Sequence, residues 1–154
     1  MTSPDFLVVG TTTKDLTPDG PTLGGTATYA ALTMARLGLN TAIVTSAVPV
    51  VLNDPLLSGV SCVNVPSKVM TTFRNVYDGT DRTQYVEAVA SLMDYDHISE
   101  KWRRTPLVLL GPLVDDVNEN LAERLRADAG HEKDSQLIGA SIQGWLRQWD
   151  ERGW

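Results

Sequence analysis

The chain is poor in the residues that mark several function classes. It has one cysteine, Cys62, so an intramolecular disulfide is excluded and a reducing compartment is expected. With no histidine beside it in sequence, Cys62 reads as a small buried hydrophobe rather than a catalytic thiol. There are two histidines, His97 and His131, which leaves few members for a Ser-His-Asp or His-rich metal site. Positive charge is also scarce. Lys plus Arg number 13 against 19 Asp plus Glu, a net charge of −6, which argues against binding nucleic acid through its phosphate backbone. No run reaches the roughly 18 apolar residues of a membrane span, and the N-terminus lacks the basic and apolar regions of a signal peptide. The expected location is cytoplasmic, away from membranes. Also missing are a G-x-x-x-x-G-K-[ST] loop, a G-x-G-x-x-G fingerprint and a G-x-S-x-G elbow.

What remains is an ordinary globular composition, 42% hydrophobic over 154 residues, enough for the core of one domain. Apolar runs at 6–10, 41–46, 107–111 and 136–141 read as strands. Residues 11–21 read as a polar loop with an Asp19-Gly20 turn. From Gly24-Gly25 to Gly38, apolar residues at helical spacing predict a helix with Gly38 at its left-handed cap. Strand, loop, glycine-led helix and strand together predict an α/β fold on a mainly parallel sheet. Residues 69–76 and 82–89 flank the turn 77–81 and predict a hairpin with Phe73, Asn75 and Tyr77 on one face. Its mixed polarity places it off the main sheet, as a lid would be. A second amphipathic helix is expected over 115–129, with Val117, Leu121 and Leu125 inward, Asp115 and Asp116 as first-turn charges, and Gly130 as cap before a polar loop at 130–134.

Two readings stand for Gly24-Gly25. It is either a site where a hydroxylated or anionic ligand approaches free N–H groups at a helix start, or a tight turn before a packed helix. The Asp94-x-Asp96-His97 cluster reads as a solvated loop, because its spacing matches no metal-ligand pattern. Trp145, Trp149 and Trp154 crowd the last ten positions, and such an end reads as an interior segment.

The segment 24–38, Gly-Gly-Thr-Ala-Thr-Tyr-Ala-Ala-Leu-Thr-Met-Ala-Arg-Leu-Gly, followed by a strand, resembles the N-terminal signature of the PfkB/ribokinase family of carbohydrate and nucleoside kinases. The order of the pieces around it is similar too, from the strand ending at Gly10 to the lid-like hairpin at about 69–89 and the strand-helix unit from Leu107. The resemblance runs over nearly the whole chain. It implies an α/β, ribokinase-like fold whose C-terminal half is missing, so that 1–154 is the substrate-binding portion of one domain. By position it implies substrate contacts at Asp15, Gly24, Gly25, Tyr29, Phe73 and Asn75. Asp15 suits that role because a carboxylate accepts two hydroxyls at once, though a surface turn residue is the other reading.

Two positions depart from the family pattern. Tyr29 stands where the family usually has Asn, which puts plain ribose or fructose specificity in doubt, and Asp54 does not sit in a Gly-rich turn. The family's Gly-Ala-Gly-Asp segment, with its catalytic base and anion hole, has no match in these residues. No catalytic or metal-binding residue is therefore assigned. ATP and Mg²⁺ are expected for the full-length protein and not tightly for this portion. The expected ligand is a sugar-like or nucleoside substrate, and self-association through the lid or an exposed sheet edge is expected of a partial fold. A complete, non-enzymatic α/β domain binding a small ligand or a partner protein is the alternative.

Overall fold

Along the first strand, β1 (Phe6–Gly10), side chains alternate between two cores, and this alternation sets the layers of the molecule. Phe6 and Val8 face the first helix, α1 (Thr26–Arg36), with Ala27, Ala31 and Ile43. Leu7 and Val9 face the opposite side with Val44, Val108, Leu110, Leu121 and Leu125. Being covered on both faces, β1 is a continuous apolar run rather than an alternating one. The structure is a computed structural model that describes residues 3–129 and 136–152. Gly130, the loop 130–134, His131 and Trp154 lie outside the described residues.

The main sheet adds β4 (Thr41–Ala47), β5 (Ser61–Pro66), β8 (Leu107–Gly111) and β9 (Leu137–Ala140) in the order β5-β4-β1-β8-β9. Every pairing in it is parallel. This is the expected α/β architecture. The second sheet has the order β3-β2-β6-β7, built from β2 (Thr13–Thr17), β3 (Gly20–Gly24), β6 (Thr72–Asp78) and β7 (Asp81–Ala88). The hairpin β6-β7 is therefore separate from the main sheet. Phe73, Val86, Leu113 and Val114 form its own small core.

Three details differ from the sequence reading. The polar segment 11–21 holds strand β2 and the start of β3, because β6 pairs with β2 in parallel and supplies a partner far away in sequence. Pro21 fits because β3 is an edge strand. Strand β5, which carries Cys62, was not anticipated. The thiol is half-buried, and burial pushes its pKa up, as befits an inert core position.

The second main helix, α2, spans Leu121–Ala129 rather than starting at 115. The Asp116 carboxylate accepts the N–H groups of Leu113 and Val114, and Asn118 accepts that of Asn120. These local bonds compete with a helix. Met93 then pairs with Val117 as an isolated parallel bridge. Asp116 is thus a buried loop anchor, not a first-turn helix charge, and Val117 reaches the core from that loop.

Candidate functional site

In an open parallel sheet, ligands bind beyond the carboxyl ends of the strands, where the chain order switches direction. Here β1 connects outward to β4 on one side, and β8 lies on its other side, so the switch point falls between β1 and β8. The segments that leave these two strands, 11–15 and 112–117, therefore meet at one place. Thr11, Thr12 and Thr13 are buried there, and Thr12 is tied to Thr45 at the end of β4 through its N–H (2.9 Å) and its hydroxyl (3.2 Å).

The first three candidate residues come together through close packing. Asp15 sits on β2, and the Thr13 hydroxyl donates to its Oδ1 (2.9 Å). Its Oδ2 occupies the space that a Cβ on Gly24 would fill. Gly25, the residue that starts α1, has φ 95° and ψ 154°, and a Cβ there would strike the Thr11 carbonyl. The glycine pair thus lets the start of α1 lie against the 11–15 segment, with no side-chain cap on the helix. That satisfies the tight-turn reading and leaves the carboxylate beside a helix N-terminus.

Asp15, Gly25, Tyr29 and Phe73 line a cavity of about 910 Å³. Tyr29 is 62% exposed at its rim, and Phe73 is buried. Gly24 is not among the cavity-lining residues but packs directly behind Asp15. Asn75 does not line the cavity either. Its Oδ1 accepts the Gln84 amide across the hairpin (2.9 Å), and Gln84 reaches the cavity instead. Tyr77, on the same strand face, is exposed.

Sequence reasoning missed Arg82, Gln143 and Arg147, which also line this cavity. Gln143 begins a short helix, α3 (Gln143–Leu146), docked by the Gly144 N–H on the Pro112 carbonyl (3.0 Å). The four-residue spacing brings Arg147 to the same side. Arg147 Nη1 donates to the Leu113 carbonyl (2.7 Å), and its guanidinium stacks 4.9 Å from the Phe73 ring centroid. Trp145 lies between them and faces the core, donating to the Val117 carbonyl (2.9 Å). The four-residue spacing of Gln143 and Arg147 is the sequence signal that joins them.

Burial pushes the Asp116 carboxyl above its ordinary pKa, while the N–H groups of Leu113 and Val114 pull the other way. Among the described residues its Oδ2 has no hydrogen-bond partner, nor does the Thr11 hydroxyl. For Arg147, burial lowers the pKa most, followed by the like charge of Arg82, with Asp116 opposing.

The remaining acidic groups are structural. Asp94 and His97 form reciprocal caps on the 3₁₀ turn Tyr95–His97, and Arg124 pairs with Asp94 (3.2 Å) and Asp96 (3.3 Å). Asp54 caps the turn Pro55–Leu57. Among the described residues no group of three or more His, Cys, Asp or Glu is placed to hold a metal ion. Among the described residues that line the cavity, Asp15 is the one carboxylate, too few oxygen ligands to hold Mg²⁺ without a bound phosphate. No helix among the described residues is long and apolar enough to cross a membrane.

No family model matches the chain, and no curated protein sequence matches it. Solved structures do. A pyrophosphate-dependent kinase in the ribokinase family, complexed with a pyrophosphate analog and myo-inositol, is 20% identical with a TM-score of 0.72. The match covers 96% of this chain and 52% of that one. A pyrophosphate-dependent myo-inositol-1 kinase converted to a myo-inositol-3 kinase matches at 16% identity and TM-score 0.74, over 96% and 51%. Arabidopsis thaliana ribokinase complexed with ribose and ATP matches at 14% and 0.57, over 90% and 53%.

Proposed function

We infer the function from a fold that is ribokinase-like, the chain spanning about half the length of the structures that share it. We propose that residues 1–154 are the acceptor-binding portion of a PfkB/ribokinase-type kinase, which phosphorylates a hydroxyl of a sugar, cyclic polyol or nucleoside. The observation that carries this reading is the Asp15 carboxylate. Thr13 holds it, the Gly24-Gly25 turn backs it, and it lines a cavity that runs from the switch point along α1 and the face of β8 and β9. An ionised carboxylate is acceptor-only, so it suits a ligand rich in hydroxyl donors.

In this reading Asp15 and the backbone at Gly25 orient the acceptor. Tyr29 supplies one hydroxyl at the rim, Phe73 an apolar wall, and Asn75 steadies Gln84 from behind. The second sheet acts as the lid that keeps water from the reacting hydroxyl. The neighbours' ligands, myo-inositol and ribose, are the natural first probes. Phosphoryl transfer needs charge stabilisation and a base for the hydroxyl, and the Gly-Ala-Gly-Asp segment that supplies them in the family is not in these 154 residues. ATP and Mg²⁺ belong to the complete kinase in this reading. Residues 1–154 by themselves bind an acceptor and transfer nothing.

Calorimetric titration with myo-inositol, ribose and a nucleoside tests the reading. At least one binds wild type in the millimolar range or better, and Asp15→Asn weakens it about tenfold or more, since a hydrogen bond to a charged group contributes roughly 1.5–3 kcal/mol. No binding by any of the three or by a sugar acid or sugar phosphate, or binding indifferent to Asp15→Asn, overturns it.

A further inference from the structure

The charge of the cavity runs against that of the chain. The whole sequence carries −6, yet among the described residues the charged ones lining the cavity are one carboxylate, Asp15, and two guanidinium groups, Arg82 and Arg147. The two arginines come from separate elements, β7 and the end of α3, so their convergence is a property of the tertiary fold. Neither is in an ion pair: among the described residues, the pairs use Arg74, Arg124 and Arg152.

Arg147 is also held in place. It lies over the Phe73 ring, and among the described residues one of its five N–H donors is committed, to the Leu113 carbonyl. Half-burying a guanidinium near a second one, with the Asp116 carboxylate opposing but no ion pair among the described residues, is unfavourable until an anion arrives. The Arg147 pKa is lowered first by that burial and then by the like charge of Arg82. A fork of free N–H groups on a fixed plane matches a carboxylate or phosphate edge.

We propose that the acceptor is anionic, a polyhydroxylated carbon frame bearing a carboxylate or phosphate that sits between Arg82 and Arg147 while its hydroxyls face Asp15. This rests on reading the cavity as the acceptor site.

Titration of the chain with four probes tests it: myo-inositol, gluconate, glucose 6-phosphate and inorganic pyrophosphate. Gluconate or glucose 6-phosphate is expected to bind at least about tenfold tighter than myo-inositol at low salt, a difference of about 1.4 kcal/mol, and the advantage shrinks as salt rises. Arg82→Gln, at an exposed position, removes most of that advantage and leaves the thermal midpoint unchanged. Arg147→Lys keeps the charge but loses the fork and reduces it further. Preference for carboxylate over phosphate, or the reverse, identifies the anion.

If myo-inositol binds as well as both anionic probes, the inference fails and the acceptor site stands. Pyrophosphate binding as tightly as the sugar phosphate, and competing with it, assigns the arginines to a phosphoryl donor and also overturns the inference. If none of the hydroxylated probes binds, both readings fall.

Discussion

The two adjacent glycines at the start of α1 are expected to respond oppositely to the same small change. At Gly25, φ 95° and ψ 154° fall in a region open essentially to glycine alone, where another residue costs about 1–3 kcal/mol. A Cβ there also meets the Thr11 carbonyl, which is backbone and cannot swing aside. Gly25→Ala is therefore expected to cost roughly 2–3 kcal/mol in all, by the same strain argument. For a chain of this length that lowers Tm by roughly 4–12 °C. Gly24 is not in the left-handed region, and its Cβ would meet side-chain atoms of Asp15 and Thr13. Those side chains can rotate away. Gly24→Ala therefore sacrifices the Thr13–Asp15 hydrogen bond, about 0.5–1.5 kcal/mol, and moves the carboxylate out of the cavity. The assay pairs thermal melting with acceptor titration for both variants. The expected pattern is a large Tm loss for Gly25→Ala, and a small Tm loss with acceptor binding weakened as in Asp15→Asn for Gly24→Ala. Full affinity in Gly24→Ala would refute the role given to Asp15. An unchanged Tm in Gly25→Ala would refute the close approach of α1 to the 11–15 segment.

Three further outcomes are expected. Asp116 has a folded pKa raised above its ordinary 3.8, so its contribution to stability is full below that value and is lost as pH rises through the folded pKa. Asp116→Asn keeps an oxygen for the Leu113 and Val114 N–H groups but does not ionise. Its Tm minus that of wild type should grow as pH is raised from about 4 toward neutrality, and a flat or falling difference contradicts the assignment. Phe73→Ala empties the small core under the hairpin and removes the surface on which Arg147 stacks. It should cost about 3–5 kcal/mol in chemical denaturation and weaken acceptor binding, whereas a loss under about 1 kcal/mol would show that this core does not hold the second sheet. Arg124→Ala breaks exposed ion pairs to Asp94 and Asp96 and should cost no more than about 1 kcal/mol with acceptor binding unchanged, so a larger loss would show that the 94–97 turn does more than cap itself.

What could be read in the sequence follows from where the partners lie. Phe6–Gly10 is buried on both faces, and Leu107–Gly111 is apolar throughout although Leu107 and Leu109 line the cavity, so their apolar runs announce them. The β6-β7 hairpin carries its own turn at Asp78–Asp81. Strand β2 was invisible because its residues are polar and its parallel partner, β6, lies far along the chain. The start of α2 was misplaced because the bonds that hold residues 116–118 out of a helix involve Met93. At the site, Asp15 and the glycine pair were named through a family resemblance, and the structure shows the packing that places them together. Arg82 and Arg147 converge only after two sheets and α3 have assembled, so no local spacing joins them.

The central claim is that the switch-point cavity holds a polyhydroxylated acceptor through Asp15. A crystal structure of the chain grown with a saturating polyol tests it most directly. The account predicts ligand hydroxyl oxygens within about 3.2 Å of the Asp15 carboxylate, beside the Gly25 backbone and beneath Phe73. A polyol bound elsewhere, with Asp15 still joined only to Thr13, would contradict it.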